Sequence, residues 1–175
     1  MIKFTDTMVT FSEVPDEISL CVNISNCPIH CPACHSKELW ENIGEFLTKD
    51  KIVALIKRNE GITTFVISGG DCSPMDVNMI AAFVKQSYPE LKVCWYSGRD
   101  YVPANIQLKN FDFIKLGPYK EEFGGLDKET TNQKFYKVIG NDLEDITYKF
   151  WKSYDVEELG QQMAKQLDSS GGEIH

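Results

Sequence analysis

The feature that most constrains this chain is a cysteine-rich segment at residues 27–34, Cys-Pro-Ile-His-Cys-Pro-Ala-Cys. Three residues separate Cys27 from Cys31, and two separate Cys31 from Cys34. Three thiolates are one fewer than the four that complete a tetrahedral zinc site or a cubane iron–sulfur cluster. If no remote cysteine joins them, a four-iron cluster held here keeps one iron with an open coordination position, where a small molecule can bind.

Length and charge limit the classes of protein to consider. The 175 residues suffice for one well-buried domain, which we expect to span residues 1–168 ahead of a disordered tail at 169–175. The formal net charge of −8 argues against non-specific binding to nucleic acid or an anionic membrane surface. No apolar run approaches the roughly 20 residues that cross a bilayer, and residues 1–10 lack the layout of a secretory signal. We therefore expect a cytoplasmic protein without nucleic-acid or membrane partners.

The cysteine count favours a metal over disulfide bonds. The six cysteines, at positions 21, 27, 31, 34, 72 and 94, could form a disulfide framework. However, the chain is larger than typical disulfide-stapled scaffolds, and three of the cysteines cluster in a proline-containing segment. A zinc site with His30 or His35 as the fourth ligand is the alternative to an iron–sulfur cluster.

Around this segment, hydrophobic patterning predicts alternating strands and helices. A period of two predicts a strand over 17–24, and β-rich apolar runs predict strands over 62–67, 91–96 and 111–116. Helices are expected over 36–40, after Thr48 as N-cap, and after Ser73-Pro74. We also expect a small hairpin from 2–4 and 9–11, a mobile functional loop over 119–133, strands over 135–139 and 146–151, and a helix over 155–167.

This alternation predicts an α/β fold with mainly parallel strands joined by right-handed crossovers. About five to six strands are too few to close an ordinary eight-stranded barrel, so an open partial (β/α) barrel is expected. Polar loops follow the carboxyl ends of the predicted strands, where α/β folds bind ligands.

A second motif, Ser68-Gly69-Gly70-Asp71, ends one of these strands about forty residues after the cysteines. Adjacent glycines let a backbone approach a ligand closely, because no side chain intervenes. Asp71 could then accept a charge-assisted hydrogen bond from a ligand ammonium group. A zinc site leaves this motif unexplained.

Together, the cysteine spacing and the Gly-Gly-Asp motif resemble those of the radical S-adenosylmethionine (radical SAM) enzymes. In that family three thiolates hold a [4Fe–4S] cluster whose open iron chelates S-adenosylmethionine. The resemblance implies an open partial (β/α) barrel and implies Cys27, Cys31 and Cys34 as ligands. Together with the strand-end positions, it implies cofactor contacts from Ala33, Cys34, His35, Ser68, Gly69, Gly70, Asp71, Ser97 and Lys115.

Further segments are similar to one branch of that family, the activating proteins of anaerobic (class III) ribonucleoside-triphosphate reductase. They are the cysteine segment with its flanks Asn26 and His35, the stretch 36–40, the strand ends 96–98 and 117–119, and 130–133, Thr-Thr-Asn-Gln. The small size of the chain also matches that branch.

The resemblance implies an oxidoreductase that cleaves S-adenosylmethionine reductively and places a glycyl radical on the reductase, with no side chain acting as a general acid or base. The implied partners are the glycyl-radical subunit and an electron donor such as flavodoxin or ferredoxin. The alternatives are a radical SAM enzyme acting on another glycyl-radical enzyme or on a small molecule, as a deazapurine synthase does, and a passive iron–sulfur or zinc module.

Overall fold

The structure, a computed structural model, describes residues 1–151 of the chain. Among these residues are eight strands and two α-helices. The strands are β1 Lys3–Thr10, β2 Ser19–Ile24, β3 Glu45–Phe46, β4 Thr64–Ser68, β5 Lys92–Tyr96, β6 Phe113–Leu116, β7 Lys134–Ile139 and β8 Asp142–Asp145. The α-helices are α1 Lys49–Arg58 and α2 Pro74–Ser87, and short 3-10 helices span Lys37–Trp40, Leu108–Asn110 and Thr147–Phe150.

All eight strands form one mixed sheet in the order β3-β1-β2-β4-β5-β6-β7-β8. The four central strands β2, β4, β5 and β6 are parallel to one another, with Leu20 opposite Phe65 and Phe65 opposite Val93. On each side of this parallel centre the next two strands run antiparallel. The carboxyl ends of the four central strands therefore meet at one edge of the sheet.

The expected open partial (β/α) barrel is wrong. The sheet has eight strands instead of five or six, four of its seven strand pairings are antiparallel, and the described residues 1–151 contain only two α-helices. The crossover from β5 to β6 contains a 3-10 helix but no α-helix, and after β6 the chain turns back antiparallel. Too few helices remain to surround a curved parallel sheet, so the fold is an open mixed sheet.

Two hydrophobic clusters cover the two faces of the sheet. Alternate residues of β2, β4 and β5, such as Leu20, Phe65 and Trp95, pack with α1 and α2 in the larger cluster. Their neighbours point to the other face, where Cys21, Val66 and Cys94 pack with residues of loops. Burial on both faces explains why these strands are continuous apolar runs.

Local signals correctly predict both α-helices. The Thr48 hydroxyl accepts a hydrogen bond from the Lys51 N–H at 3.2 Å, and Ser73 accepts one from the Asp76 N–H at 3.4 Å with Pro74 in the first turn. None of the helices in the described residues is both long enough and apolar enough to cross a membrane.

Two element predictions are wrong. One long strand, β1, replaces the hairpin expected from 2–4 and 9–11, and residues 147–150 form a 3-10 helix where a strand over 146–151 was expected. The short helix expected over 36–40 is present as the 3-10 helix Lys37–Trp40. The helix expected over 155–167 and the tail at 169–175 lie outside the described residues.

Candidate metal centre

A cavity of about 340 Å³ lies at the carboxyl ends of the central parallel strands. Residues at the end of each of these strands line it, among them Ile24, Ser68, Tyr96 and Gly117. The cysteine segment supplies the facing wall, with Ile29, Leu39 and Trp40 adding apolar surface. The cavity is thus the place where this topology puts a ligand.

Cys27, Cys31 and Cys34 all line this cavity. The backbone N–H of Cys27 donates to the Leu39 carbonyl at 2.9 Å, and that of Cys34 donates to the Cys31 carbonyl at 2.9 Å. The Ser36 N–H donates to the Cys34 sulfur, with nitrogen and sulfur 3.4 Å apart. The sequence therefore folds into a loop that directs three sulfur ligands to one space.

The other three cysteines lie elsewhere. Cys21 and Cys94 are buried in the smaller hydrophobic cluster, and Cys72 is exposed and lines a different cavity. All six cysteines are free thiols. A cluster in the main cavity therefore has three cysteine ligands available, and the structure does not contain the disulfide framework that the cysteine count allowed.

Burial raises the pKa of the Cys27 thiol, and the nearby Asp71 and Cys31 add to the rise. Hydrogen bonds from the backbone of Ile29 and His30 lower this pKa. Without a metal, Cys27 is consequently held as a neutral thiol. Metal binding must displace its proton, so loading of this site depends on pH.

Among the described residues 1–151, no group of three or more His, Cys, Asp or Glu side chains is close enough to share a single metal ion. A zinc ion needs its ligands around one centre, whereas the thiolates of a four-iron cluster bind different irons and lie farther apart. Three free thiols lining one cavity are a donor set that an iron–sulfur cluster can use.

Asp71 joins two strand ends at the wall of the cavity. Its carboxylate accepts the Ser97 O–H at 2.6 Å and the Gly98 N–H at 2.9 Å, and Arg99 Nε lies 3.5 Å from it as an ion pair. Arg99 also donates to the Asp71 backbone carbonyl at 2.9 Å. Since a carboxylate has about four acceptor positions, Asp71 keeps capacity for a ligand while it holds β4 beside β5.

Gly69 and Gly70 have different roles. Gly69 has φ +96° and lines the cavity, and a Cβ there would lie 3.1 Å from the Ile24 carbonyl oxygen. Gly70 does not line the cavity; a Cβ there would lie 2.5 Å from Val77 of α2. The first glycine thus brings backbone to the ligand space, and the second lets α2 pack closely.

Lys115 is a buried cation at the floor of the cavity. Its ammonium donates to the Gly117 carbonyl at 2.7 Å and lies 3.5 Å from the Ser97 carbonyl. Burial lowers the pKa of Lys115 to about 8, although Cys31 and Asp71 oppose this fall. With two of its three donors directed at carbonyls, the ammonium can give the third to an anionic group.

The structure brings most of the predicted cofactor-binding residues together. Those that line the cavity are Cys34, His35, Ser68, Gly69, Asp71, Ser97 and Lys115, whereas Ala33 and Gly70 do not. His35 packs against Tyr119 with ring centroids 5.2 Å apart, and His30 stacks on Trp40 at 4.7 Å. Only one of the two candidate histidine ligands, His35, therefore lines the cavity.

Sequence reasoning missed the contact that seats the cysteine segment. A Cβ at Gly98 would lie 2.8 Å from Ile29, so the glycine makes room for this side chain at the end of β5. Gln133 also lines the cavity, although the sequence indicated it only as part of the 130–133 segment that resembles the family. The glycine two residues after β5 was a usable signal, because a glycine near a strand end permits close approach.

A second cavity of about 590 Å³ adjoins the first. The two share the lining residues His35, Tyr96, Lys115, Tyr119 and Gln133. Glu13 and the loop at 124–128 form much of its remaining wall. The metal centre thus opens towards a larger space that could admit part of a second molecule.

Comparison with known proteins agrees with this donor set. Residues 18–139 match the family described as "4Fe-4S single cluster domain", and the match includes all three cavity cysteines and the strand ends around them. No curated protein and no solved structure matches the chain. The match covers more than half of the 175 residues. The chain therefore belongs to the 4Fe-4S single cluster domain family.

Proposed function

We propose that this protein is a radical SAM activase that generates a glycyl radical on an anaerobic ribonucleoside-triphosphate reductase. The observation that carries the proposal is that three cysteines, and no fourth, line the cavity beside the Gly69–Asp71 strand end. A four-iron cluster held by three thiolates keeps one coordination position for a ligand. The cysteine spacing and the Asn132-Gln133 resemblance support this branch of chemistry.

The residues around the cavity suit S-adenosylmethionine as that ligand. Held by Cys27, Cys31 and Cys34, a [4Fe–4S] cluster would supply the one-electron reduction of the sulfonium that splits S-adenosylmethionine into methionine and a 5′-deoxyadenosyl radical able to take a hydrogen atom from glycine. Lys115 can bind the methionine carboxylate, and Asp71 can accept from its ammonium group. Ile29, Leu39 and Trp40 provide apolar walls that exclude water from a reactive radical.

The glycine-bearing segment of the reductase would enter through the second cavity. Asn132 donates to the Pro118 carbonyl at 2.9 Å and Gln133 lies 3.4 Å from the Gly117 carbonyl, so both hold the strand end where the two cavities meet. The side-chain oxygen of Asn132 is buried without a hydrogen-bond partner among the described residues.

The test is a glycyl-radical signal in electron paramagnetic resonance. The anaerobically reconstituted protein, S-adenosylmethionine, dithionite and a candidate reductase should give this signal, and Cys34→Ala should abolish it together with the cluster. The matched variant Cys72→Ala removes a cysteine outside the cavity and should keep the signal. Cleavage of S-adenosylmethionine without a glycyl radical would favour the small-molecule alternative over the activase.

A further inference from the structure

One wall of the metal centre separates it from another exposed part of the molecule. Ile24 and Cys27 line the main cavity, whereas Ser25 and Asn26 between them line a separate cavity of about 310 Å³. Ser25 is fixed in this wall, because its N–H donates to the Lys3 carbonyl at 3.0 Å and its hydroxyl to the Ile43 carbonyl at 2.6 Å. Only a short stretch of backbone therefore separates the predicted ligand Cys27 from this second face.

Several apolar side chains are exposed on that face. Beside the 310 Å³ cavity lies a groove of about 140 Å³ between α1 and α2, and both have Asp76 among their lining residues. Around them, Phe46, Met75 and Met79 are 54%, 60% and 54% exposed. We call this surface, with Lys3 and Lys49, the methionine face. Contiguous exposed apolar surface of this kind marks protein-binding sites, and methionine side chains adapt readily to a partner.

The charge of the methionine face differs from that of the whole chain. Lys3 and Lys49 line its cavities, and no ion pair involves either of them among the described residues. Their ammonium groups lie over the rings of Phe46 and Phe83, at 5.3 and 5.2 Å from the ring centroids. The lining carboxylate, Asp76, is paired with the Met1 amino group at 2.9 Å. The face is thus locally cationic on a chain of net charge −8.

We propose that the methionine face docks an acidic one-electron carrier protein, which reduces the cluster through the 24–27 wall. The proposal rests on the proposed function, because that reaction consumes one electron per turnover. The carrier is oxidised by one electron and the cluster is reduced by one. An apolar centre with lysines around it suits the small, transient interfaces that redox partners form, and opposite charge speeds their encounter.

Stopped-flow reduction of the reconstituted protein tests this. The probes are flavodoxin hydroquinone and a reduced [2Fe–2S] ferredoxin, with dithionite as a reductant that needs no docking surface. We expect Lys3→Glu/Lys49→Glu and Met79→Asp each to lower the carrier-driven rate constant about tenfold and to leave the dithionite rate within about twofold. The wild-type carrier rate should also fall as salt increases.

Matched controls are available on β7, on the other side of the sheet. Lys137→Glu and Ile139→Asp introduce the same changes at exposed positions and should leave both rates unchanged. Calorimetric titration with oxidised carrier should show the same loss of affinity in the methionine-face variants only. Cluster reduction needs no S-adenosylmethionine, so failure of the proposed function would appear separately, as reduction without cleavage.

Three results would overturn the docking proposal. Unchanged carrier rates in the methionine-face variants would do so, as would wild-type reduction by both carriers no faster than by free reduced flavin mononucleotide. The third is a change in the oligomeric state of the chain or in its binding to the reductase, with carrier rates unaffected. That outcome would assign the face to a second copy or to the reductase.

Discussion

At the scale of single residues, the six cysteines differ in what surrounds their sulfur atoms. Three line the cavity at the strand ends, whereas Cys21 on β2 and Cys94 on β5 are buried in the smaller cluster on one face of the sheet. Burial raises the pKa of Cys21 to about 12, and burial also raises that of Cys94 well above its ordinary value. These two thiols therefore behave as apolar side chains at neutral pH.

The raised pKa of Cys21 makes stability depend on pH. Between pH 9 and 12 the unfolded chain loses this thiol proton while the folded chain keeps it, so the free energy of unfolding falls as pH rises. Relative to Cys21→Val, which cannot ionise, the wild-type protein should lose about 1.4 kcal/mol between pH 8 and pH 10. Urea unfolding of both proteins in their cluster-free form measures this difference. A difference in unfolding free energy that does not change with pH would show that folding does not raise the pKa of Cys21.

Individual residues of the site were predictable where a short motif specified them. The three cysteines and Gly69-Gly70-Asp71 were recognisable because their spacing is local in sequence. The bonds from Ser97 and Gly98 to Asp71 were not, because they join residues more than twenty-five positions apart through the pairing of β4 with β5. The motifs locate the functional groups along the chain, but only the pairing of the strands determines which residues each group contacts.

At the scale of elements, the position of the cysteine segment depends on its fit against β5. The close approach of Ile29 to Gly98 is the contact through which the loop reaches the end of this strand. A methyl group at Gly98 would lie 2.8 Å from Ile29 Cγ1, closer than carbon atoms pack. This contact links strand geometry to ligand geometry.

We therefore expect Gly98→Ala to displace the cysteine loop and to lower the iron bound per chain after reconstitution. The double variant Gly98→Ala/Ile29→Ala restores the space and should recover most of the iron, since the backbone of Gly98 is not left-handed. Iron and sulfide analysis of the two variants, with Ile29→Ala alone as control, measures the effect. Full iron content in Gly98→Ala would show that the contact does not seat the loop.

The elements that the sequence predicts best are those with local signals. Both α-helices begin at the predicted N-caps, Thr48 and Ser73, because capping involves neighbouring residues. The last strand was predicted over 146–151, a few residues after the position of β8. The two residues between β7 and β8, Gly140-Asn141, are nevertheless a recognised hairpin turn. The two-residue strand β3 has no pattern of its own and exists only because β1 pairs with it.

At the scale of the whole molecule, the sequence indicates α/β alternation but not the sheet that results. Alternation correctly implies the parallel centre β2-β4-β5-β6, because its strands are buried on both faces. The antiparallel strands on both sides depend on pairing between distant segments, which periodicity does not report. The two faces of the finished sheet thus differ, with helices covering one and loops the other.

This architecture leaves the metal centre between two accessible sides. The adjoining 590 Å³ cavity lies on one side, and the methionine face lies behind the 24–27 wall. A substrate and an electron carrier could therefore reach the centre without competing for the same surface. The arrangement suits a reaction in which reduction and hydrogen abstraction involve different partners.

We propose that three cysteines hold a cluster with one coordination position left for S-adenosylmethionine. The most direct test is the release of methionine and 5′-deoxyadenosine by the anaerobically reconstituted, dithionite-reduced protein. We expect release of both products by the wild type and by Cys72→Ala, and by none of Cys27→Ala, Cys31→Ala and Cys34→Ala. A protein that carries four irons per chain and releases neither product would contradict it and would indicate a passive iron–sulfur carrier.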